Sequence, residues 1–447
     1  MNGTRPDDGA EAQPLPTLSL FDAVAMIVGL VIGVGIFRTP SIVAANVDSA
    51  STLLLVWLGG GIISLLGALC YAELGSAFPN AGGEYHFLTR AFGPPVGFLF
   101  AWARMSVVQT GAIAFIAFAL GDYATLLFPL GPKSPAIYAA LSVVGITGFN
   151  MLGTRGSKLL QNVLTVTLVL AYGAIIVTAL LYAPNAPSAA VPAGAPGQPA
   201  VGLAMIFILL TYSGWNEAAY LSAEIRDGRR NIVRSLVIGI ALVTAIYLLM
   251  NFAYFHVLGL KGMSESQAVA ADVMKVTVGQ AGAVVFAAIV VTEALTTLNG
   301  TVFTGARTNY ALGRDFPVFR FLGKWDDKVM APANAILVQG VISLALVAFG
   351  SLTRDGFSTM VDFTAPVFWL FFLLTGGALM VLRRRRPAAE RPFRVPLYPF
   401  TPLVFCAACA YMLYSSLAYV RLGALLGVAV LLLGVPLLAF ARRPPRR

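Results

Sequence analysis

GLVIGVGIF, residues 29–37, occupies the centre of the first apolar run of the chain, and TYSGWNE, residues 211–217, occupies the centre of the sixth. Gly29, Gly33 and Gly35 crowd the first stretch, and Gly214 follows Tyr212-Ser213 in the second. A break in a helix frees backbone N–H and C=O groups that hydrocarbon cannot satisfy, so it persists only where a ligand or water meets them. Paired interruptions, each opening one half of a membrane chain, are the sequence mark of a binding site at mid-depth. If the first run crosses outward, its second half starts at Gly33–Gly35 and turns its positive end to the midplane, where a carboxylate is welcome. The sixth run crosses in the opposite sense. Its first half ends near Leu210–Ser213, where free carbonyls suit an ammonium. Together the two breaks read as a receptor for a small zwitterion.

The surroundings are those of a membrane protein. Of 447 residues, 58% are hydrophobic and only 11% charged, about half the charge a soluble domain carries. The mean hydropathy is +0.81. Apolar runs long enough to cross a bilayer recur at 21–44, 52–77, 95–125, 134–152, 159–182, 201–223, 233–258, 277–306, 332–351, 357–381, 397–419 and 421–440. The expected fold is therefore all-α and integral to the membrane, with about twelve transmembrane helices. No cleavable leader is expected, because polar residues 1–17 run into a full span.

The net charge of +10 is a topology signal rather than a nucleic-acid footprint. With the N-terminus inside, 23 of the 30 Lys and Arg residues fall in inner segments and five in outer loops. That split places both termini on the cytoplasmic side. The expected organisation is a cytoplasmic tail (1–17), a first repeat (18–182), an extracellular Pro/Ala-rich loop (183–200), a second repeat (201–382) and two final helices with a basic tail (383–447). The uncharged loop APNAPSAAVPAGAPGQPA reads as a flexible linker.

Several motifs stand in order along the chain: IGVGIFRTP (32–40), YAELGSAFPNAGGEYHFLTRAFGP (71–94), TYSGWNEAAYLSAEIRDGRRNIVRSL (211–236), LNGTVFTGAR (298–307) and RPFRVPLYPFTPL (391–403). Through them the chain resembles the amino acid–polyamine–organocation (APC) superfamily, and within it the L-type amino acid transporters and their bacterial relatives. The resemblance implies a 5+5 inverted-repeat, LeuT-like core plus two C-terminal helices. It also implies transport of amino acids by alternating access, as exchange or proton symport, across the cell membrane. The substrate carboxylate would meet the amides of Gly33, Val34 and Gly35. The ammonium would meet carbonyls at Val31, Leu210, Thr211 and Ser213, with Tyr212 and Trp215 flanking the pocket or its gates. Two positions depart from the family pattern. Val34 stands where a small polar residue is common, and Leu168 stands where many relatives carry a lysine linked to coupling.

Arg104, Glu217 and Glu293 fall inside spans, where unpaired charge is costly. They are expected to face the interior, with Arg104 and Glu217 paired in the inner half and Glu293 nearer mid-depth. Either carboxyl is a candidate proton carrier; a permanent ion pair is the plainer reading. Arg38 follows the first break and is expected to snorkel to the outer surface. His86 and His256 have no metal partner at useful spacing, and Cys70, Cys406 and Cys409 lie in apolar runs. No metal or cofactor is expected. The absence of a GxxxxGK[ST] cradle argues against an ATP-driven pump, and no nucleophile set suggests an enzyme. The leading expectation is a carrier of neutral L-amino acids, whose partners are that substrate, the bilayer and a proton. The alternatives are a carrier of cationic amino acids or polyamines and, from another class, a non-transporting membrane amino acid sensor.

Overall fold

The first apolar run forms two helices instead of one. In the computed structural model, which describes residues 19–78, 82–152, 158–182, 200–218, 228–326, 331–418 and 422–440, α1 (Leu20–Val31) stops at Ile32 and α2 (Gly35–Ala44) starts three residues later. Ser19 opens α1 with a capping box: its hydroxyl accepts from the Asp22 amide, and the Asp22 carboxylate accepts from the Ser19 amide. The sixth run behaves alike. Helix α9 (Val201–Thr211) ends in the turn Tyr212-Ser213-Gly214, where Gly214 takes φ 113° as glycine can at no steric cost, and α10 (Trp215–Ala218) follows.

Between the two broken spans run α3 (Ala50–Ala77), α4 (Gly83–Phe92), α5 (Pro94–Ala103), α6 (Gln109–Leu127), α7 (Ser134–Met151) and α8 (Lys158–Leu181). A π-helical turn, Arg104–Val108, joins α5 to α6 within one crossing. After the second break come α11 (Gly228–Glu265), α12 (Val269–Thr277), α13 (Gln280–Asp315), α14 (Ala333–Gly350), α15 (Gly356–Arg385), α16 (Phe400–Ala418) and α17 (Leu422–Phe440). Among the described residues eight helical stretches, the one through the π-turn included, are long and apolar enough to cross a membrane. The two broken runs and the shorter apolar helices account for the remaining expected spans. Among the described residues the only β pairing is an isolated bridge, Asp326 to Ala331.

Three details exceed the hydropathy reading. The loop between the second and third spans holds α4, with Glu84 buried in its first turn. The seventh span ends at a kink where Gly259 takes φ 64°, and the connection beyond it carries α12. The eighth span extends to Asp315, well past the expected end at 306. The tail 1–17 and the loop 183–199 lie outside the described residues.

Small residues let the helices meet closely, as membrane interfaces require where no water drives association. A Cβ on Gly35 would stand 2.9 Å from Thr211 Oγ1, so α2 and α9 touch at the two breaks. Phe37 then anchors α2 in the bundle. Its ring stacks on Tyr172 of α8 at 5.6 Å and meets Tyr123 of α6 and Phe286 of α13 edge-on at 6.2 and 5.8 Å. The two ends of the bundle differ in charge. One carries Arg383–Arg386 at the end of α15; the other carries Asp355 at its start.

Candidate functional site

The two breaks face one another across α2 and α9, joined by a hydrogen bond of 2.8 Å between the Thr39 and Thr211 hydroxyls. At the first break, the amides of Val34 and Gly35 have no acceptor among the described residues, and the Gly33 amide is turned to the Tyr247 hydroxyl. The next two amides do have one: Ile36 N donates to Gly33 O at 3.5 Å and Phe37 N to Val34 O at 3.1 Å. Space in front of Gly33 is open, with no atom within 4 Å of where its Cβ would stand. The Val34 side chain turns away into the core at 2% exposure. What remains is a short cradle of backbone donors at a helix start, the chemistry that holds an anion.

The second break is lined by acceptors, and protein hydroxyls already occupy them. Ser213 donates to Leu210 O from both its amide, at 3.1 Å, and its hydroxyl, at 2.6 Å. The Tyr247 hydroxyl, from α11, stands 3.0 Å from Val31 O and 3.3 Å from Thr211 O. One side chain thus spans the last carbonyls of α1 and α9. Behind it lies an aromatic triangle. Tyr212 packs edge-on to Tyr247 at 5.0 Å, Trp57 meets both, and the Tyr212 hydroxyl donates to Trp57 O at 3.1 Å. Tyr212 therefore backs the site. Trp215 begins α10 and sits between Tyr71, Phe372 and Phe405, at 5.1, 5.4 and 6.1 Å.

Sequence reasoning missed Tyr247, which lies 216 residues from Val31 along the chain and 36 from Thr211. Its only local signal is a tyrosine in an apolar span whose hydroxyl needs a partner. Val31, Gly33, Val34, Gly35, Leu210, Thr211 and Ser213 do converge on one locus through their backbones. Leu168 is half-buried on α8, against the core.

The ionisable residues divide between the two ends. Arg38 does not snorkel. It is 3% exposed because four groups hold it: Asp122 of α6 at 3.1 Å, Asp355 at 2.7 Å, Gln267 at 2.7 Å and Ser41 at 2.7 Å. Two carboxylates inside the fold outweigh the hydration its guanidinium would gain at the surface. At the basic end, Arg104 ion-pairs with Glu84 of α4 at 3.3 Å. Glu84 also accepts from the Tyr71 hydroxyl at 2.6 Å, and Tyr71 in turn touches Trp215. The side chain of Glu217, the partner expected for Arg104, lies outside the described residues. Glu73 is fully buried under Arg383 and Arg391 and accepts the Val395 amide at 2.6 Å, tying the chain after α15 to the end of α3. Glu293 is 5% exposed and accepts from Thr297 Oγ1 at 2.8 Å.

His86 lies on α4, where burial and the Arg90 guanidinium hold its pKa below the usual histidine range. The three cysteines are buried free thiols. Among the described residues no cluster of His, Cys, Asp or Glu could hold a metal ion.

Residues 18–435 match the family model described as amino acid permease. The chain is 33% identical to the b(0,+)-type amino acid transporter 1 of Mus musculus over 90% of its own length and 82% of the relative's. It is 31% identical to the mouse large neutral amino acids transporter small subunit 2, over 94% and 80% of the two chains. It is 30% identical to the mouse Asc-type amino acid transporter 1, again over 94% and 80%. The chain belongs to the amino acid permease family: it is a multi-pass membrane protein that transports amino acids and is not an enzyme.

Proposed function

We propose that the chain is a secondary transporter of neutral L-α-amino acids. In this reading the carboxylate seats on the amides of Gly33, Val34 and Gly35. The ammonium takes the carbonyls of Val31 and Thr211 in place of the Tyr247 hydroxyl, with Leu210 and Ser213 beside it. The observation that carries it is the juxtaposition of two amides without acceptors, those of Val34 and Gly35, and two carbonyls that share the Tyr247 hydroxyl, to which the Gly33 amide also turns. Both groups of an α-amino acid are read by backbone, so selectivity falls to the side chain. The described side chains at the breaks are uncharged: Thr39, Thr211, Tyr212, Ser213, Trp215 and Tyr247. A neutral substrate fits that wall.

Alternating access fits the arrangement of charge. Arg38 links α2, α6, α15 and the segment before α12 at one end. Glu73 and Glu84 link α3, α4, the π-turn and α15 at the other. Releasing one set while the other holds would open the site to one side at a time. The basic end is assigned to the cytoplasm of a cell membrane by the Lys and Arg distribution, with both termini on that side. The halves 18–182 and 201–382, each opened by a broken helix, are assigned as the two repeats.

Uptake into proteoliposomes decides the substrate class. Labelled Ala, Ser, Leu, Lys, Arg and putrescine are each offered to vesicles preloaded with the same unlabelled compound. Counterflow of the neutral amino acids above Lys and Arg is expected. A preference for the cationic compounds overturns the neutral reading.

A further inference from the structure

Three buried glutamates stand among the described residues, and two of them have cations. Glu73 lies under Arg383 and Arg391, and Glu84 faces Arg104. Glu293 has neither an arginine nor a lysine partner among the described residues. Thr297 supplies one neutral donor to Oε1, and Oε2 is buried with no partner at all. The Tyr172 hydroxyl, buried on the neighbouring α8, also has no partner. Two unsatisfied polar groups therefore lie in the interior, on helices α8 and α13 that pack against each other.

Their place ties them to the transport site. Tyr172 stacks on Phe37, the residue two beyond the free Gly35 amide. Phe37 also meets Phe286, and Glu293 lies two helical turns further along α13 towards the basic end. That brings its carboxyl to the depth where α1 ends. Tyr247 bridges Val31 O and Thr211 O where α1 ends.

The titratable groups on the helices packed against α13 are few. From α6 come Asp122, held by Arg38, and Tyr123, which donates to Phe37 O. From α7 comes Tyr138, bonded to Phe128 O at the far end. From α12 come Asp272, which accepts from Ser266, and Lys275. Helix α14 contributes none, α8 contributes Tyr172 and, at its start, Lys158, whose side chain lies outside the described residues, and the π-turn contributes Arg104, held by Glu84. Tyr247 and Tyr254 look on from α11.

An ionised carboxylate with one hydroxyl donor, buried away from water, is strongly disfavoured. A proton removes that penalty without requiring room for a larger cation. We propose that Glu293 is the proton-binding group of this transporter, with Tyr172 as its neighbouring hydroxyl. This deepens the transport reading and rests on it. The balance is simple. A proton from water on the outer side binds Oε2 while the site faces outward, the neutral carboxyl travels with the loaded substrate site, and the proton passes to water on the inner side. Substrate and proton cross in the same direction.

Proteoliposomes with an acidic exterior provide the test, with counterflow at equal pH measured beside them. One proton per amino acid sets a limit of about tenfold accumulation for each pH unit of gradient. Wild type is expected to accumulate a neutral amino acid under the gradient. Glu293→Gln is expected to lose accumulation while counterflow persists. Should that variant fail to insert, Tyr172→Phe and Thr297→Val serve, since each removes one hydroxyl and keeps its backbone. Both are expected to move the pH of half-maximal uptake, which a residue that only fills space would leave in place. Three results overturn the proposal: wild-type counterflow with no response to the proton gradient, accumulation driven by sodium instead, or undiminished proton-driven accumulation in Glu293→Gln. Absence of counterflow for every neutral amino acid in wild type would instead strike the transport reading itself.

Discussion

The break between α1 and α2 and the break between α9 and α10 leave opposite debts in the backbone. At the first, the Val34 and Gly35 amides have no acceptor among the described residues, the Gly33 amide has only the Tyr247 hydroxyl, and open space lies before Gly33. At the second, the freed carbonyls are already closed, Leu210 O by Ser213 and Thr211 O by Tyr247. The difference follows from the side chains that each stretch can offer. GLVIGVG contains no hydroxyl and no carboxylate to fold back on its amides, whereas TYSG carries hydroxyls and meets Tyr247 across α11. The anion half of the site is therefore formed in advance. The cation half must exchange one donor for another.

Filling the open half should do the most harm. Gly33→Leu is expected to reduce uptake to background while the protein still inserts and elutes as wild type, because a Cβ at this position meets no atom within 4 Å and the side chain grows into the space before the amides. Retained transport would move the carboxylate site elsewhere. Emptying the closed half should do less. Tyr247→Phe removes the hydroxyl that competes with substrate for Val31 O and Thr211 O. One hydrogen bond is worth about 0.5–1.5 kcal/mol, so KM is expected to fall about two- to tenfold. A rise in KM of that size would make Tyr247 a ligand of the substrate rather than its stand-in. The smallest effect is expected from Ser213→Ala. Leu210 O keeps the Ser213 amide at 3.1 Å, so KM should move by no more than about threefold.

The twelve spans and the positions of both breaks were legible in the sequence because each depends on a run of neighbouring residues. Hydropathy sets a span, and clustered glycines end a helix within one residue of Gly33 and of Ser213. What stayed hidden depends on residues far apart. Tyr247 reaches its carbonyls across 216 and 36 positions, and no periodicity marks such a contact. Arg38 looks like a residue near a helix end, with water in reach. Its burial depends on Asp122 and Asp355, 84 and 317 residues away. Arg104 meets Glu84 because α4 folds back into the bundle, a contact no local pattern marks, while the side chain of Glu217 lies outside the described residues. Depth along a helix can be read from sequence, whereas the azimuth of each helix about its axis cannot.

The tyrosine that closes the second break has a single proton to give. Val31 O and Thr211 O both look to it, so at any instant one of them is served and the other waits. The empty protein is thus one bond short by simple donor counting. A primary ammonium arrives with three protons and can serve both carbonyls at once. A 2-hydroxy acid would bring the same single proton that Tyr247 already provides, and would gain nothing by displacing it. Selection for an amine over an alcohol is in this way written into the number of hydrogens, before the shape of any side chain is consulted.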